Sequence, residues 1–567
     1  MPALRASRRI RSLQLAIVSL TIPVVAFPWL PSPAAHAASV GSGTYENTSS
    51  AILFSTPWST TTSTSDSGGS YAYLSAPGNA GLTFSGTGIQ WITRTNNYSG
   101  IAQVYVDGVP VAKVDLYSAA EQLQRVVYSK VGMAAGTHSI RIERTGSLNS
   151  ASTGRRISLD AFVVRDSTAP AALPKPTLTA SRKGINVAWQ ASPATDLASY
   201  RVYRKQAGGT EVLLDKPAKT ARNVLDIGLS AGLPYTYRVT AVDSSGNQSQ
   251  TSPSTTATTP AATPIIGRYS NCPTATRTVN NATTLQNALQ AAVPGDVVRL
   301  SPGNYQGYFT ITTDATAARP VWICGPRDAV LTHGDTSTKA ALALNDASHV
   351  IVTGMTIRDA QKGVMISDGS NNTISDVRIT DIGQEAIHLR TNSTDNTVIK
   401  NLIQNTGRQT AQYGEGVYVG SDPGAWCTYS NCSPDRSDRN AVLDNTMTGT
   451  TAEGIEAKAG TTDGYVRGNT VNGSAMTATN SGGWIVIKGN GWIIEGNKGT
   501  DAPANGITAT YSKASGWGRN NVFFKNQTAV DNSTGYGVWM QKGIGNKAGC
   551  DNTATDISRI VNDICQI

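Results

Sequence analysis

Three glutamates, Glu385, Glu415 and Glu453, stand just before three successive short apolar strands, and two of the strand ends beyond them carry lysines, Lys458 and Lys488. The last strand position reads Arg390, Gly420, Lys458 and Lys488, and a column between reads His388, Tyr418, Glu456, Val486, Thr508 and Trp539. Carboxylate oxygens suit a hard cation. A lysine whose pKa is lowered by a second ammonium can remove a proton. If the strands stack at about 4.8 Å, glutamates in register repel one another, and a bound cation, raised pKa values or nearby lysines would each relieve them.

These residues need a scaffold that repeats. Segments beginning at Gly363, Ala386, Gly416, Gly454, Trp484, Gly506 and Gly537 align without gaps, and their starts are 23, 30, 38, 30, 22 and 31 residues apart. A shortest period near 22, with extra residues dropped between strands, is that of one coil of a parallel β-helix. Within each segment alternate residues are apolar, so Ile387, Leu389, Val417, Val419, Ile455, Ala457, Ile485, Ile487, Ile507 and Ala509 point inward and their neighbours outward. Between the segments, NNTISDV, DNTVIKN, RNAVLDN and NNVFFKN each begin with an asparagine turn. Asparagine tolerates the left-handed conformation, and stacked copies can form a ladder.

The predicted fold is all-β: a right-handed parallel β-helix over 268–567, preceded by a jelly-roll over 40–167, a fibronectin type III sandwich over 171–258 and a linker at 259–267. Thr284 is expected to cap a short helix ahead of the first coil, with Leu285, Ala288, Leu289 and Ala292 at helical spacing. In the first domain, runs such as GIQWITRT and AQVYVDGVPVAKVDLY alternate, and Asp107-Gly108 marks a hairpin. Its run FSGTGIQWI to LDAFVV resembles jelly-roll modules found beside secreted carbohydrate-active enzymes. Trp58, Trp91 and Tyr98 are its candidates for stacking on sugars, with Trp91 better suited to the core. The second domain resembles fibronectin type III, with Trp189 in the core and Tyr235 at the tyrosine corner, and reads as a spacer.

Residues 1–37 carry arginines at 5, 8, 9 and 11, then an apolar run and Ala35-His36-Ala37, the pattern of a cleaved secretion signal. Ser7-Arg8-Arg9 hints at a twin-arginine signal, but the next residues, Ile10-Arg11-Ser12, depart from that pattern. Losing those arginines lowers the formal charge from +9 to +5, too mild a balance to argue for nucleic acid. The expectation is a secreted, extracellular monomer with no membrane anchor after signal removal. All six cysteines lie in the last domain, and sequential pairing is the simplest arrangement: Cys272 with Cys324, Cys427 with Cys432, Cys550 with Cys565.

The segment TLQNALQAAVPGDVVRLSPGNYQG resembles the cap and first coil of secreted β-helix polysaccharide lyases, the group containing chondroitinase B and alginate lyases. EGIEAKAGTTDGYVRGNTV is similar to that group's strand bearing a calcium-ligand glutamate and, five residues on, a lysine base. The resemblance implies Glu453 as the ligand and Lys458 as the base. It is partial, because Thr451 stands where the family has a second acidic residue and Lys488 where it has arginine. GEGVYVGS and PDRSDRN resemble uncharacterised secreted actinobacterial-type β-helix proteins, which supply no chemistry.

The residues themselves specify a reaction. Cleaving a uronic-acid polymer by β-elimination needs a cation beside the sugar carboxylate and a base for the C5 proton. Lys458 beside Lys488 would be the base; Glu453, Glu415 and Glu385 would hold Ca²⁺. Arg390, His388 and Asp438 would contact an extracellular polysaccharide, and Tyr418 and Trp539 would stack on its rings. Two other readings stand beside this. A glycoside hydrolase needs two carboxyl groups about 5 to 9 Å apart, available among Glu415, Glu453, Glu456, Asp435 and Asp438. A non-catalytic glycan-binding or adhesive protein would use the solenoid only as a surface.

Overall fold

The computed structural model describes residues 38–55, 57–261, 272–477, 479, 481–511, 516–531, 534–557 and 559–566. The expected signal segment and most of the expected linker lie outside the described residues. The chain divides into two compact units, Met1–Thr168 and Ala169–Ile567.

The first unit is antiparallel throughout, in sheets of four, five and three strands. Alternation along Asn79–Gly86 and Ile101–Val106 buries every second residue, as expected of strands with one face on a core. Asp107 and Gly108, both with positive φ, make the tight turn into Val109–Asp115. Trp91 is 0% exposed and belongs to the core, which removes it from the sugar-stacking candidates. Trp58 is tied down as well, its Nε1 donating to Asn79 O at 2.9 Å.

The second unit begins with a sandwich of a three-stranded and a four-stranded antiparallel sheet. Trp189 packs edge-on against Tyr200 at 5.4 Å, and the Tyr235 hydroxyl accepts from Ser230 N at 3.0 Å. This domain is not the free spacer that its Pro-rich and Thr-rich flanks imply. Ile227 and Leu225 pack with Ile493, Val522, Phe524 and Tyr465 of the last domain, and Lys183 pairs with Asp463 at 2.9 Å. Removing that apolar patch from water is the reason the two stay together.

The last domain is a three-sided parallel solenoid, its sheets holding eleven, ten and nine strands. One continuous core runs through it and includes every residue predicted to point inward. The helix Ala282–Gln290 closes the first coil, burying Leu285, Ala288 and Leu289. Its N-cap is Asn281 rather than Thr284, which lies one turn in and completes a capping box by accepting from Asn281 N. The cysteines pair in sequence order, Cys272–Cys324, Cys427–Cys432 and Cys550–Cys565.

Asparagines form the predicted ladder with one change. Asn401, Asn445, Asn469, Asn497, Asn526 and Asn552 hand each side-chain N–H to the next side-chain oxygen at 2.9 to 3.0 Å. The left-handed residue is the one before the ladder position: Lys400, Asp444, Gly468, Gly496 and Lys525 all have positive φ. The ladder asparagine itself turns inward, where its amide also caps a carbonyl of a neighbouring coil.

Candidate active site

The nine-stranded sheet carries the predicted columns. Its register aligns Met365, His388, Tyr418, Glu456, Val486, Thr508 and Trp539 one above another. Just before the strands, Ala386 N donates to Glu415 O and Gly416 N to Glu453 O, each at 3.0 Å, so the glutamates ride on neighbouring coils.

Glu415, Glu453 and Glu456 each offer an oxygen within 4.8 Å of the others. They are 3%, 7% and 2% exposed. Burial, then the charges of Glu456, Glu385 and Glu453, push the Glu415 carboxyl well above the usual carboxylate range. Burial and Glu456 push Glu453 up to about 7. Glu415 Oε2 is buried with no hydrogen-bond partner. A buried carboxyl oxygen left so costs free energy unless a proton or a cation meets it. Three carboxylates converging on an orphaned oxygen therefore fit a hard divalent cation.

Glu385 sits beside this set but is spent differently. It pairs with Lys362 and lies 3.5 Å from His388 Nδ1, so the metal set expected as Glu385, Glu415 and Glu453 is brought together as Glu415, Glu453 and Glu456. His388 donates from Nε2 to Gly420 O at 3.0 Å, leaving Nδ1 without a proton. Burial, Lys362 and Arg390 hold its pKa well below the usual value, so it is neutral. Its ring meets Tyr418 edge-on at 4.6 Å.

Glu456 stands between the two lysines. Lys458 Nζ lies 3.0 Å from its Oε2, and Lys488 pairs with its Oε1. Burial alone would lower the Lys488 pKa, but the Glu456 carboxylate overcomes it and holds the ammonium above its ordinary value. The expected lysine pair is thus bridged by a carboxylate instead of standing in mutual repulsion. Lys488 is a fixed cation, and Lys458 reaches further, to Asp422 at 3.7 Å and over the Tyr418 ring at 4.9 Å. Gly420 makes room for this: it has φ +88°, and a Cβ there would lie 2.7 Å from Thr461 Cγ2 and 3.3 Å from Lys458 Cβ. Burial and the nearby Glu456 and Glu415 raise the Tyr418 phenol, which stays protonated.

A groove of about 580 Å³ opens from here toward the earlier coils, lined by Tyr418, His388, Arg390, Lys362, Lys339 and Tyr308 among others. Arg390 lies on the Tyr429 ring at 4.1 Å. Trp539 lines a separate cleft with Thr508 and Asn505 on the later coils. Asp438 is not a substrate contact. It is buried, accepts Thr462 N at 2.6 Å and pairs with Arg436 at 2.8 Å. Asp435 likewise accepts Thr391 N and Asn392 N at 3.0 and 2.8 Å. Both anchor turns.

Sequence reasoning missed Lys362, Asp422 and Tyr429. Lys362 was visible as the residue opening the Gly363 coil, adjacent by register to the Glu385 coil. Asp422 and Tyr429 come from the inserted loop in the 38-residue coil, whose length was legible and whose path was not.

Residues 327–443 match the family model described as a right handed beta helix region. The protein is a right-handed parallel β-helix protein, and those similar to it include carbohydrate-active enzymes. An alginate lyase from Paenibacillus sp. str. FPU-7 is 30% identical over 52% of this chain and 100% of its own, with a TM-score of 0.48. A family 28 exopolygalacturonase of Yersinia enterocolitica is 14% identical over 70% of this chain and 91% of its own, with a TM-score of 0.26. A 92-residue stretch is 34% identical to the A type blood N-acetyl-alpha-D-galactosamine deacetylase of Flavonifractor plautii, covering 16% of this chain and 12% of that protein.

Proposed function

We propose that this protein is a secreted polysaccharide lyase that cleaves a uronic-acid-containing polymer by β-elimination. The observation that carries the reading is the buried Glu415, Glu453 and Glu456 set beside Lys458, which reaches Asp422 and Tyr418 in the wall of a groove that also carries Lys339, Lys362 and Arg390. Calcium, when held by the three glutamates, would draw electron density from the sugar carboxylate and acidify C5–H. Lys458 is the group placed to take the C5 proton; the electron pair left behind forms the C4–C5 double bond, and the C4–O bond breaks. The leaving oxygen takes a proton from Tyr418, whose phenol is kept protonated by burial and the neighbouring carboxylates. Lys488 and Arg390 bind the acidic chain, and the neutral His388 supports Tyr418 edge-on.

The hydrolase reading loses two of its five candidate carboxyls, because Asp435 and Asp438 are consumed by turns. A purely adhesive surface gives no reason for buried, unpaired carboxylate oxygen.

The test is a panel of acidic and neutral polysaccharides, with calcium or a chelator, following ultraviolet absorbance and reducing ends together. Both signals should rise on a uronate polymer and collapse with chelator. Reducing ends without absorbance would overturn elimination.

A further inference from the structure

The first unit carries a second site. A cavity of about 390 Å³ is lined by Ser75, Tyr98, Arg144, Gly154, Arg155 and Arg156. Three arginines line it, and no carboxylate does. Elsewhere in the same unit Arg94 is paired with Asp66 and Glu121, and Arg141 with Glu143; Arg144, Arg155 and Arg156 have no ion pair among the described residues. Like charges gathered without counter-charge make a positive patch that attracts an anion.

Two of the arginines, Arg144 and Arg156, are held in place. Arg156 lies over the Tyr73 ring at 4.1 Å and 5.3 Å from the Tyr98 ring. Arg144 Nε donates to Arg155 O at 2.8 Å. The loop bearing Arg155 and Arg156 is pressed onto the turn bearing Tyr98: Ser152 Oγ donates to Ser99 O at 2.7 Å and Thr153 N to Asn97 O at 2.8 Å. A Cβ on Gly154 would lie 2.4 Å from Tyr98 O, so only glycine permits the approach. A preorganised site loses less entropy on binding.

We infer that this cavity binds an acidic sugar, a carboxylate-bearing or sulfate-bearing residue of a polysaccharide, independently of the groove on the β-helix. Planar guanidinium forks match both anions in two-point contact. Tyr98 offers part of a ring face and Ser75 a hydroxyl, the pairing a pyranose uses, and the volume is in the range of small-ligand sites. Tyr98 thereby acts in sugar binding with Arg156 beside it, while the fully buried Trp91 does not. The site would keep the enzyme on a polymer as the groove turns over.

The test uses the full chain with Lys458→Ala in every arm, so that cleavage of the matrix does not imitate loss of binding. Retention is measured on immobilised polyuronate, a sulfated polysaccharide with no uronate, a neutral glucan and duplex DNA, with and without Arg155→Ala/Arg156→Ala. Removing two charge-assisted contacts should weaken retention about tenfold or more on the acidic matrix the site recognises. Loss on polyuronate assigns carboxylate and loss on the sulfated matrix assigns sulfate; neutral glucan should not respond. Arg155→Lys/Arg156→Lys should recover only part of the retention, and in the chain with Lys458 restored, turnover of short oligosaccharides should be unchanged by the alanine pair. Undiminished retention on both acidic matrices, or an effect confined to DNA or neutral glucan, overturns the inference. Unchanged melting of the alanine variant separates lost binding from lost fold.

Discussion

Two columns climb the same coils at the same spacing, and they are satisfied in opposite ways. In the asparagine column each amide donates to the next amide oxygen and to a neighbouring carbonyl, and nothing is left over. In the glutamate column Glu415 and Glu453 crowd together with Glu456 of the neighbouring column, and Glu415 Oε2 has no partner. The difference is chemical. An amide both donates and accepts, so a stack of amides closes on itself; carboxylates only accept, so a stack of them waits for something positive. The first column belongs to the fold, and the second is the one we propose a cation completes.

The comparison breaks most visibly at Lys458. Lys458→Ala should lower turnover by about 10²- to 10⁴-fold, the range for losing a general base, and should also lower melting, because it removes one of the two cations on the buried Glu456 carboxylate. Retained turnover with a raised KM would make Lys458 a binding residue and undo the assignment. Next is the asparagine column. Asn469→Ala strands Asn445 N and the carbonyl of Val442, and should cost about 2 to 3 kcal/mol in denaturant unfolding, while the folded fraction keeps its specific activity.

The smallest effect sharpens the contrast through pH. Glu453 has its folded pKa raised from 4.5 to about 7, so the native state holds this proton more tightly than the unfolded chain does. Its contribution to stability is therefore full below pH 4.5 and is lost as pH rises through about 7. With chelator present, melting should fall across that window; calcium or Glu453→Gln should flatten the profile. Glu415, shifted in the same direction, leaves part of the slope in the variant.

Much of this was legible in the sequence because a solenoid turns sequence period into spatial register. The inward set and the column from His388 to Trp539 needed only alternation and a shortest coil length, and stacking did the rest. What was not legible lay in side-chain reach and loop path. Glu385 turns to Lys362 on the preceding coil, and a column position does not say which neighbour a long side chain prefers. Glu456, a candidate catalytic carboxyl from its outward position, also separates the lysines, so the expected ammonium repulsion is absent. Asp438 resembled a loop carboxylate free for sugar and instead accepts a backbone N–H. The docking of the fibronectin-like domain through Ile227 and Phe524 had no signal, since an apolar residue at a strand end looks the same against solvent or a neighbour.

The most direct test of elimination is the mass of the first products from a defined uronate oligosaccharide. If Lys458 removes a proton and no water enters, the two fragments will sum to the mass of the parent chain, one of them bearing the unsaturated sugar. Fragments summing to the parent plus one water would show hydrolysis and contradict the account.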